Sequence, residues 1–506
     1  MKLASAEEAI RLVEDGDTVA VCGCENILLP EKLLGALEAG FLATGHPRHL
    51  TEIHPLLHGM NIGVGLEHFA HEGMTDCVIG SGFSFLKTSL MTRMLLDDKL
   101  EGYVVPMGTV YALLRTAAAG SPFHLTDVGI GTFVDPRAGG GQVNARSRRE
   151  LCSLELVRER EYLLYPVIPI DVAIIRGTTA DTNGNITLED EPVSLGVRVL
   201  AMAARNCGGK VIAQVRRLAE RGTLNPARVV VPGILVDAVV VDPSQSVSGG
   251  AALNPALTGE IRLPLETIPP LPLDARKVIL RRASEEVRPG TIVNLGVGIP
   301  VDIPRIALES GRQDATTFFP EQGSIGGVPG GRAVFGTNIN PEALLDSADV
   351  FDFFLGGGLD TTFLGFGQID REGNVNVSRF GDIMPGCGGF IDITHRTKNV
   401  VFCGTFTSGG LGVEVGDGIL RITAEGRNRK LVREVEQVTF NARAAGARGQ
   451  RVTYVTERAV FRLEPGGMVM TEIAPGVQLE RDILPGMDFR VTMSPGLRLM
   501  ADRLFR

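Results

Sequence analysis

The residues best suited to chemistry lie in one stretch, Thr316-Thr317-Phe318-Phe319-Pro320-Glu321-Gln322-Gly323-Ser324-Ile325-Gly326-Gly327. A β-prone apolar run ends at proline, one carboxylate follows, and glycines succeed it. That order places Glu321 just past a strand end, where α/β proteins bind their ligands. The glycines let backbone N–H groups approach a bound group closely. Taken alone, the same residues also describe a glutamate in a surface turn.

Other constellations point less far. Six of the eight histidines fall between His46 and His71. The pairs His46/His49 and His68/His71 lack the His-Glu-x-x-His spacing of a helical zinc site, so no metal is expected. Cys22-x-Cys24 lacks the two-residue gap of a redox motif and reads as packing. Gly296-Val297-Gly298 opens like a dinucleotide fingerprint, but Val301 stands where its third glycine belongs. No Gly-x-Ser-x-Gly occurs, so a serine esterase has no support.

The elements that must position Glu321 recur along the chain. Ser5 and Glu8 form a capping box for a first helix. Residues 17–21 read as a buried strand ending at Gly23, and residues 31–37, after Pro30, as a helix. A similar unit follows later: Asp274 caps a helix through Glu286, and Gly290 opens a strand leading to residues 295–300. Gly16 and Pro30 are 14 residues apart, as are Gly290 and Pro304. The pattern D-x-x-G-N-[IV] occurs from Asp181 to Ile186 and again from Asp370 to Val375. Turns before strands often contain Gly-Asn by chance, but two matching signals in the same order argue for a duplicated domain.

Residues 243–275 hold Pro243, Gly249, Gly250, Pro255, Pro264, Pro269, Pro270 and Pro272, and read as a semi-rigid linker. The expected domains are residues 1–260 and 261–506, with additional material in the first between about residues 45 and 160. Short apolar runs at 229–231, 238–241, 350–355 and 400–402 read as strands alternating with helices, which predicts mainly parallel, helix-covered sheets. Residues 451–455 and 459–463 read as a hairpin. The fold class is α/β, with two related open-sheet domains.

The 506 residues are 44% hydrophobic and 22% charged, enough for two full cores. A net charge of −9 without a basic block gives no footprint for nucleic acid. Acidic residues arrive by Glu7 with no apolar stretch after them, so no signal peptide is expected. No run is apolar enough to span a membrane. Seven scattered cysteines suit free thiols in a reducing compartment, so the expected localisation is cytoplasmic.

The stretch around Glu321 does not stand alone. Residues 65–73, 131–137 and 176–181 in the first half join 294–300, 320–323, 356–360, 373–378, 386–392 and 454–461 in the second. Together these segments resemble, over nearly the whole chain, the family I CoA-transferases. The resemblance is to the single-chain acetate CoA-transferases, which fuse the two subunit types of 3-oxoacid CoA-transferases. It implies an alpha-subunit-like first domain forming the acyl wall and a beta-subunit-like second domain carrying the catalytic glutamate. Glu321 occupies that glutamate's position, in Pro320-Glu321-Gln322-Gly323.

The implied reaction is ping-pong exchange of CoA between a short-chain acyl-CoA and an acceptor acid such as acetate, through a glutamyl-CoA thioester. Coenzyme A is then a substrate, and no permanently bound cofactor is needed. The backbone of Gly388 is implied as oxyanion donor, a role worth about 3–4 kcal/mol per well-placed donor. CoA is expected along Gly296, Val297, Gly298, Gly357, Gly358, Gly388 and Gly389. The opposite, substrate-binding wall is expected from Gly23, Glu25, Met107 and Gly108. Relatives often carry glutamine where Met107 stands, and small or apolar residues where Cys24 and Glu25 stand. Either another donor substitutes for that glutamine, or the acyl preference differs. A homodimer or homotetramer is the expected assembly. The rival readings are a thioester hydrolase on the same scaffold, a non-catalytic ligand sensor and a sugar-phosphate isomerase relative; an intact Glu321 loop speaks against the last two.

Overall fold

A computed structural model describes residues 2–247 and 253–506. Gly249 and Gly250 of the linker lie outside the described residues. Among those described, the first half forms an eight-stranded sheet. Its order is Lys2–Leu3, Ala238–Val241, Lys210–Val215, Val172–Arg176, Thr18–Val21, Leu50–His54, Thr75–Gly80 and Glu101–Val104. Every neighbouring pair is parallel. The apolar runs are continuous because helices cover both faces of such a sheet.

The second half forms another eight-stranded sheet. It runs Thr317–Phe318, Ile292–Leu295, Thr361–Gly365, Asn399–Cys403, Arg451–Val455, Ala459–Glu464, Gly467–Ile473 and Thr492–Leu499. Its first five strands are parallel. The predicted hairpin follows as an antiparallel pair.

Five strands of each sheet correspond in chain order and in position. Thr18–Val21, Leu50–His54, Val172–Arg176, Lys210–Val215 and Ala238–Val241 match Ile292–Leu295, Thr317–Phe318, Thr361–Gly365, Asn399–Cys403 and Arg451–Val455. The repeated D-x-x-G-N turn is also built the same way twice. Asp181 Oδ1 and Oδ2 each accept from Asn185 at 3.0 Å, and Asp370 accepts from Asn374 at 2.9 and 3.0 Å. Asn185 Oδ1 then accepts the N–H of Gly233 at 2.9 Å, as Asn374 Oδ1 accepts that of Ala442 at 2.9 Å. The additional first-half material supplies Thr75–Gly80, Glu101–Val104 and a separate three-stranded sheet.

Two predicted strands are absent. Residues 350–355 lie within a helix, Ser347–Leu355, capped by Asp346 through the N–H of Ala348. Val350, Phe351 and Phe354 pack inward between the halves, while Asp352 and Phe353 are exposed, the one-sided pattern of a helix. Residues 229–231 follow a short 3-10 turn, and only Val231 pairs, as a single bridge to Ile186.

The halves share one core. A single cluster of buried apolar side chains runs from Ala20 through Tyr111 and Phe351 to Met487. Polar pins cross the junction: Asp346 Oδ2 accepts from Ser194 Oγ at 2.7 Å and from the N–H of Gly196 at 3.1 Å. Asp127 pairs with His395 at 3.0 Å. The linker is held by the second half, where Asn340 both donates to and accepts from the backbone of Leu263 at 2.8 Å.

Candidate active site

The carboxyl ends of strands from both sheets converge on one cavity of about 450 Å³. From the first half come Cys24 and Glu25 after Thr18–Val21, Leu56 and Leu57 after Leu50–His54, Ser81 after Thr75–Gly80, and Met107 after Glu101–Val104. From the second come Gly296 and Val297 after Ile292–Leu295, Glu321 after Thr317–Phe318, and Phe366 after Thr361–Gly365. Ligand sites at strand carboxyl ends are the rule in open α/β sheets. Here two sheets supply one site.

Glu321 is 6% exposed and lines this cavity. Its loop is clamped on both sides. Asn294 Nδ2 donates to the carbonyl of Phe319 at 3.1 Å, and Asn294 Oδ1 accepts from Thr362 Oγ1 at 2.9 Å. Beyond the glutamate, Gly323 takes φ +105°, and a Cβ there would meet the Leu345 carbonyl oxygen at 1.9 Å. One carboxylate oxygen of Glu321 accepts weakly from Gln322 Nε2 at 3.4 Å, and the other has no partner. Burial holds the Glu321 carboxyl above the ordinary carboxylate range, against the pull of its own backbone N–H and of the Asn294 and Gln322 side chains.

Opposite stands Glu25. Its backbone is left-handed, φ 51°, and it is fixed by its N–H to the carbonyl of Leu57 at 2.7 Å. Burial, and then the charge of Glu321, push its carboxyl up to about 7, with the Arg332 guanidinium opposing. Met107 closes the wall, its N–H donating to the carbonyl of Gly388 at 3.0 Å.

The cavity therefore gathers Glu25, Met107, Gly296, Val297, Glu321, Gly388 and Gly389 from the expected site residues. The others lie elsewhere. Gly23 packs under Leu29 and His58, and Gly108 sits against Asp392, which accepts its N–H at 3.0 Å. Gly357 and Gly358 precede the strand Thr361–Gly365, at the amino edge of the sheet and a strand length from the cavity. Gly358 is small because the Phe353 ring covers it. Gly298 lies in the turn beyond Val297, where its carbonyl accepts from Arg276. Gly388 lines the cavity, and its N–H is donated to the carbonyl of Ser81 at 2.9 Å. No hydrogen bond is formed by the N–H of Gly389 among the described residues.

Sequence reasoning missed Ser81, Leu56, Leu57, Phe85 and Phe335. They come from three segments, at 56–57, 81–85 and 335, and carry no motif. Ser81 Oγ is buried without a partner at the cavity wall. It also missed Asp392, fully buried, whose carboxyl burial pushes up to about 7. The histidine pairs are held by carboxylates: His46 by Asp15, His49 by Asp76, and His68 and His71 by Glu38. The grouping that does form is buried Glu52, bridging His54 at 2.7 Å and His58 at 3.0 Å. These are hydrogen-bond distances, and they account for both carboxylate oxygens.

Glu321, a buried carboxylate with one unbonded oxygen, thus lines an apolar-walled cavity together with Gly389, whose N–H forms no hydrogen bond among the described residues. Residues 3–242 match the family model described as coenzyme A transferase. The chain is 42% identical to acetate CoA-transferase YdiF of Escherichia coli O157:H7, over 99% of this chain and 94% of that protein. It is 43% identical to caffeate CoA-transferase of Acetobacterium woodii, over 100% of this chain and 97% of that one. The solved YdiF thioester complex with CoA from E. coli O157:H7 superposes with a TM-score of 0.94, at 40% identity, covering 100% of this chain and 96% of that one. The chain belongs to the coenzyme A transferase family, and it is a CoA-transferase.

Proposed function

We propose that Glu321 is the nucleophile of a ping-pong CoA transfer between short-chain acyl-CoA and a carboxylic acid. The observation carrying this reading is the unpartnered, buried Glu321 oxygen in a cavity walled by both halves. That oxygen attacks the thioester carbonyl, the C–S bond breaks, and CoA leaves as thiolate, giving a mixed anhydride. The thiolate then attacks the glutamyl carbonyl, and the acyl group departs as free carboxylate. A second acid reverses both steps and leaves as its CoA ester. One negative charge is conserved throughout, so no metal, ATP or net proton transfer is required. The N–H of Gly389 is the donor we assign to the tetrahedral intermediates.

Coenzyme A is a substrate here, entering past Gly296 and Val297, which line the cavity beside Glu321. The acyl group faces Leu56, Leu57, Phe85, Phe335 and Met107, an apolar wall suited to short aliphatic chains. Acetate is the acceptor its relatives suggest. We place the domain boundary at 260/261, the first domain supplying the acyl wall and the second the nucleophile. A cytoplasmic homo-oligomer, dimer or tetramer, completes the proposal.

Intact-mass measurement after incubation with acyl-CoA tests it. We expect a CoA-sized adduct, removable by hydroxylamine or borohydride and absent in Glu321→Ala. No adduct across a panel of acyl-CoAs, or full exchange by Glu321→Ala, would overturn the assignment. Release of free CoA without an acceptor, at the transfer rate, would make the enzyme a hydrolase instead.

A further inference from the structure

We infer that Glu25 is a charge filter: it admits acyl groups with uncharged tails and rejects those ending in a second carboxylate. The inference rests on the reading of Glu321 as nucleophile and of this cavity as the acyl site. Glu25 lines the cavity opposite Glu321, and the two halves bring these carboxylates together from loops 296 residues apart. Among the described residues the Glu25 side chain forms no hydrogen bond and no ion pair, although a carboxylate in a half-buried site normally finds one.

The position is also strained. Glutamate rarely adopts a left-handed backbone, yet Glu25 does so at φ 51°, held by the N–H bond to Leu57. Strain of this kind collects at functional sites. The rest of the wall is apolar or neutral, from Leu56, Leu57, Phe85, Met107 and Phe335.

The charged and titratable groups around Glu25 are few. Glu321 shares its cavity, Cys24 precedes it, and the exposed Arg332 acts on it through its charge. His58, paired with Glu25 through a backbone bridge, points its ring at Glu52. Burial keeps the Cys24 thiol protonated. An acyl tail carrying a carboxylate would thus meet Glu25 in a site of low dielectric. Only Arg332, shared with solvent, opposes that repulsion.

Glu25 is held near neutrality, its carboxyl pushed up to about 7. The filter must therefore weaken on acidification, since protonated Glu25 no longer repels. The tail carboxylate of a dicarboxylic acyl group stays ionised there, its ordinary range lying near 4. Glu321 acts on every substrate alike, so its own titration cancels in a ratio.

The test is the rate of CoA adduct formation on Glu321 from butyryl-CoA against succinyl-CoA, by acid quench and intact mass. At pH 8 we expect butyryl-CoA to react about tenfold faster or more, with the ratio shrinking severalfold at pH 6. Glu25→Gln should collapse the ratio and its pH dependence together, while Glu25→Asp, which keeps the charge, should retain both. Equal wild-type rates at pH 8 overturn the inference and leave the nucleophile assignment intact. So does a Glu25→Gln enzyme with an unchanged ratio and pH trend. Absence of any adduct from either acyl-CoA removes the nucleophile reading, and this inference with it. Should Glu25→Gln fail to fold, the wild-type ratio at the two pH values still decides.

Discussion

Glu321 is costly to the fold and useful to the reaction for the same reason. Burial without a full set of partners disfavours its ionised form, so its carboxyl sits above the ordinary range. A group whose folded-state pKa is raised stabilises the fold at low pH, and that contribution is lost as pH rises through the folded value. Glu321→Gln should therefore raise the thermal midpoint at pH 8 while abolishing the covalent adduct; an unchanged or lowered midpoint would contradict the burial argument. Adduct formation by the native enzyme should fall on acidification with a midpoint above that of an ordinary glutamate. Glu321→Asp shortens the reach by one methylene within a clamped loop and should slow adduct formation by about 10²-fold or more, read by quenched-flow mass measurement.

The elements matter through the loops they pin. Gly323 ends the Glu321 turn where a side chain would strike the Leu345 carbonyl, so Gly323→Ala must displace Glu321. We expect it to slow adduct formation by about 10²-fold, more than its effect on the thermal midpoint would suggest. The Met107 helix is held differently, by Asp392 from the other half accepting the N–H of Gly108 at 3.0 Å. Because burial pushes Asp392 up to about 7, its stabilising contribution is complete below its ordinary range near 4 and is lost as pH climbs to about 7. Asp392→Asn keeps an acceptor and removes that loss. The midpoint of the variant should gain on the wild type between pH 4 and 7 and level off above, measured by thermal unfolding across that range.

For the whole molecule, the two sheets are not independent lobes. Their shared core and the pins at Asp346 and Asp127 make each half the lid of the other. Fragments 1–260 and 261–506 made separately should expose apolar surface and aggregate, whereas co-expressed they should co-purify and regain CoA transfer. Fragments that stay soluble and monomeric when mixed would argue against the shared core. The junction is tightest where Gly82 meets the Pro385 carbonyl oxygen, which a Cβ would approach to 1.8 Å. Gly82→Ala should separate the Met107 wall from Gly389 and reduce transfer without preventing folding.

The duplicated sheet, the hairpin, the helix caps at Ser5 and Asp274 and the nucleophile candidate were all legible in the sequence. Each rests on a local pattern of apolar period, turn chemistry or motif, which physical chemistry within a few residues enforces. The helix Ser347–Leu355 reads as a strand because Phe353 and Leu355 add apolar residues outside its buried face, although Asp346 before it is a cap signal. Glycine misled for a related cause. A side chain at Gly23, Gly108 or Gly358 would strike Leu29, Asp392 or Phe353, and sequence does not say which neighbour arrives. The tertiary structure alone decided which loops meet. It brought Glu25 to face Glu321 and gave the Gly388 N–H to Ser81. It also assembled the proposed acyl wall from four chain segments, because those contacts join residues far apart in sequence and depend on how two sheets pack.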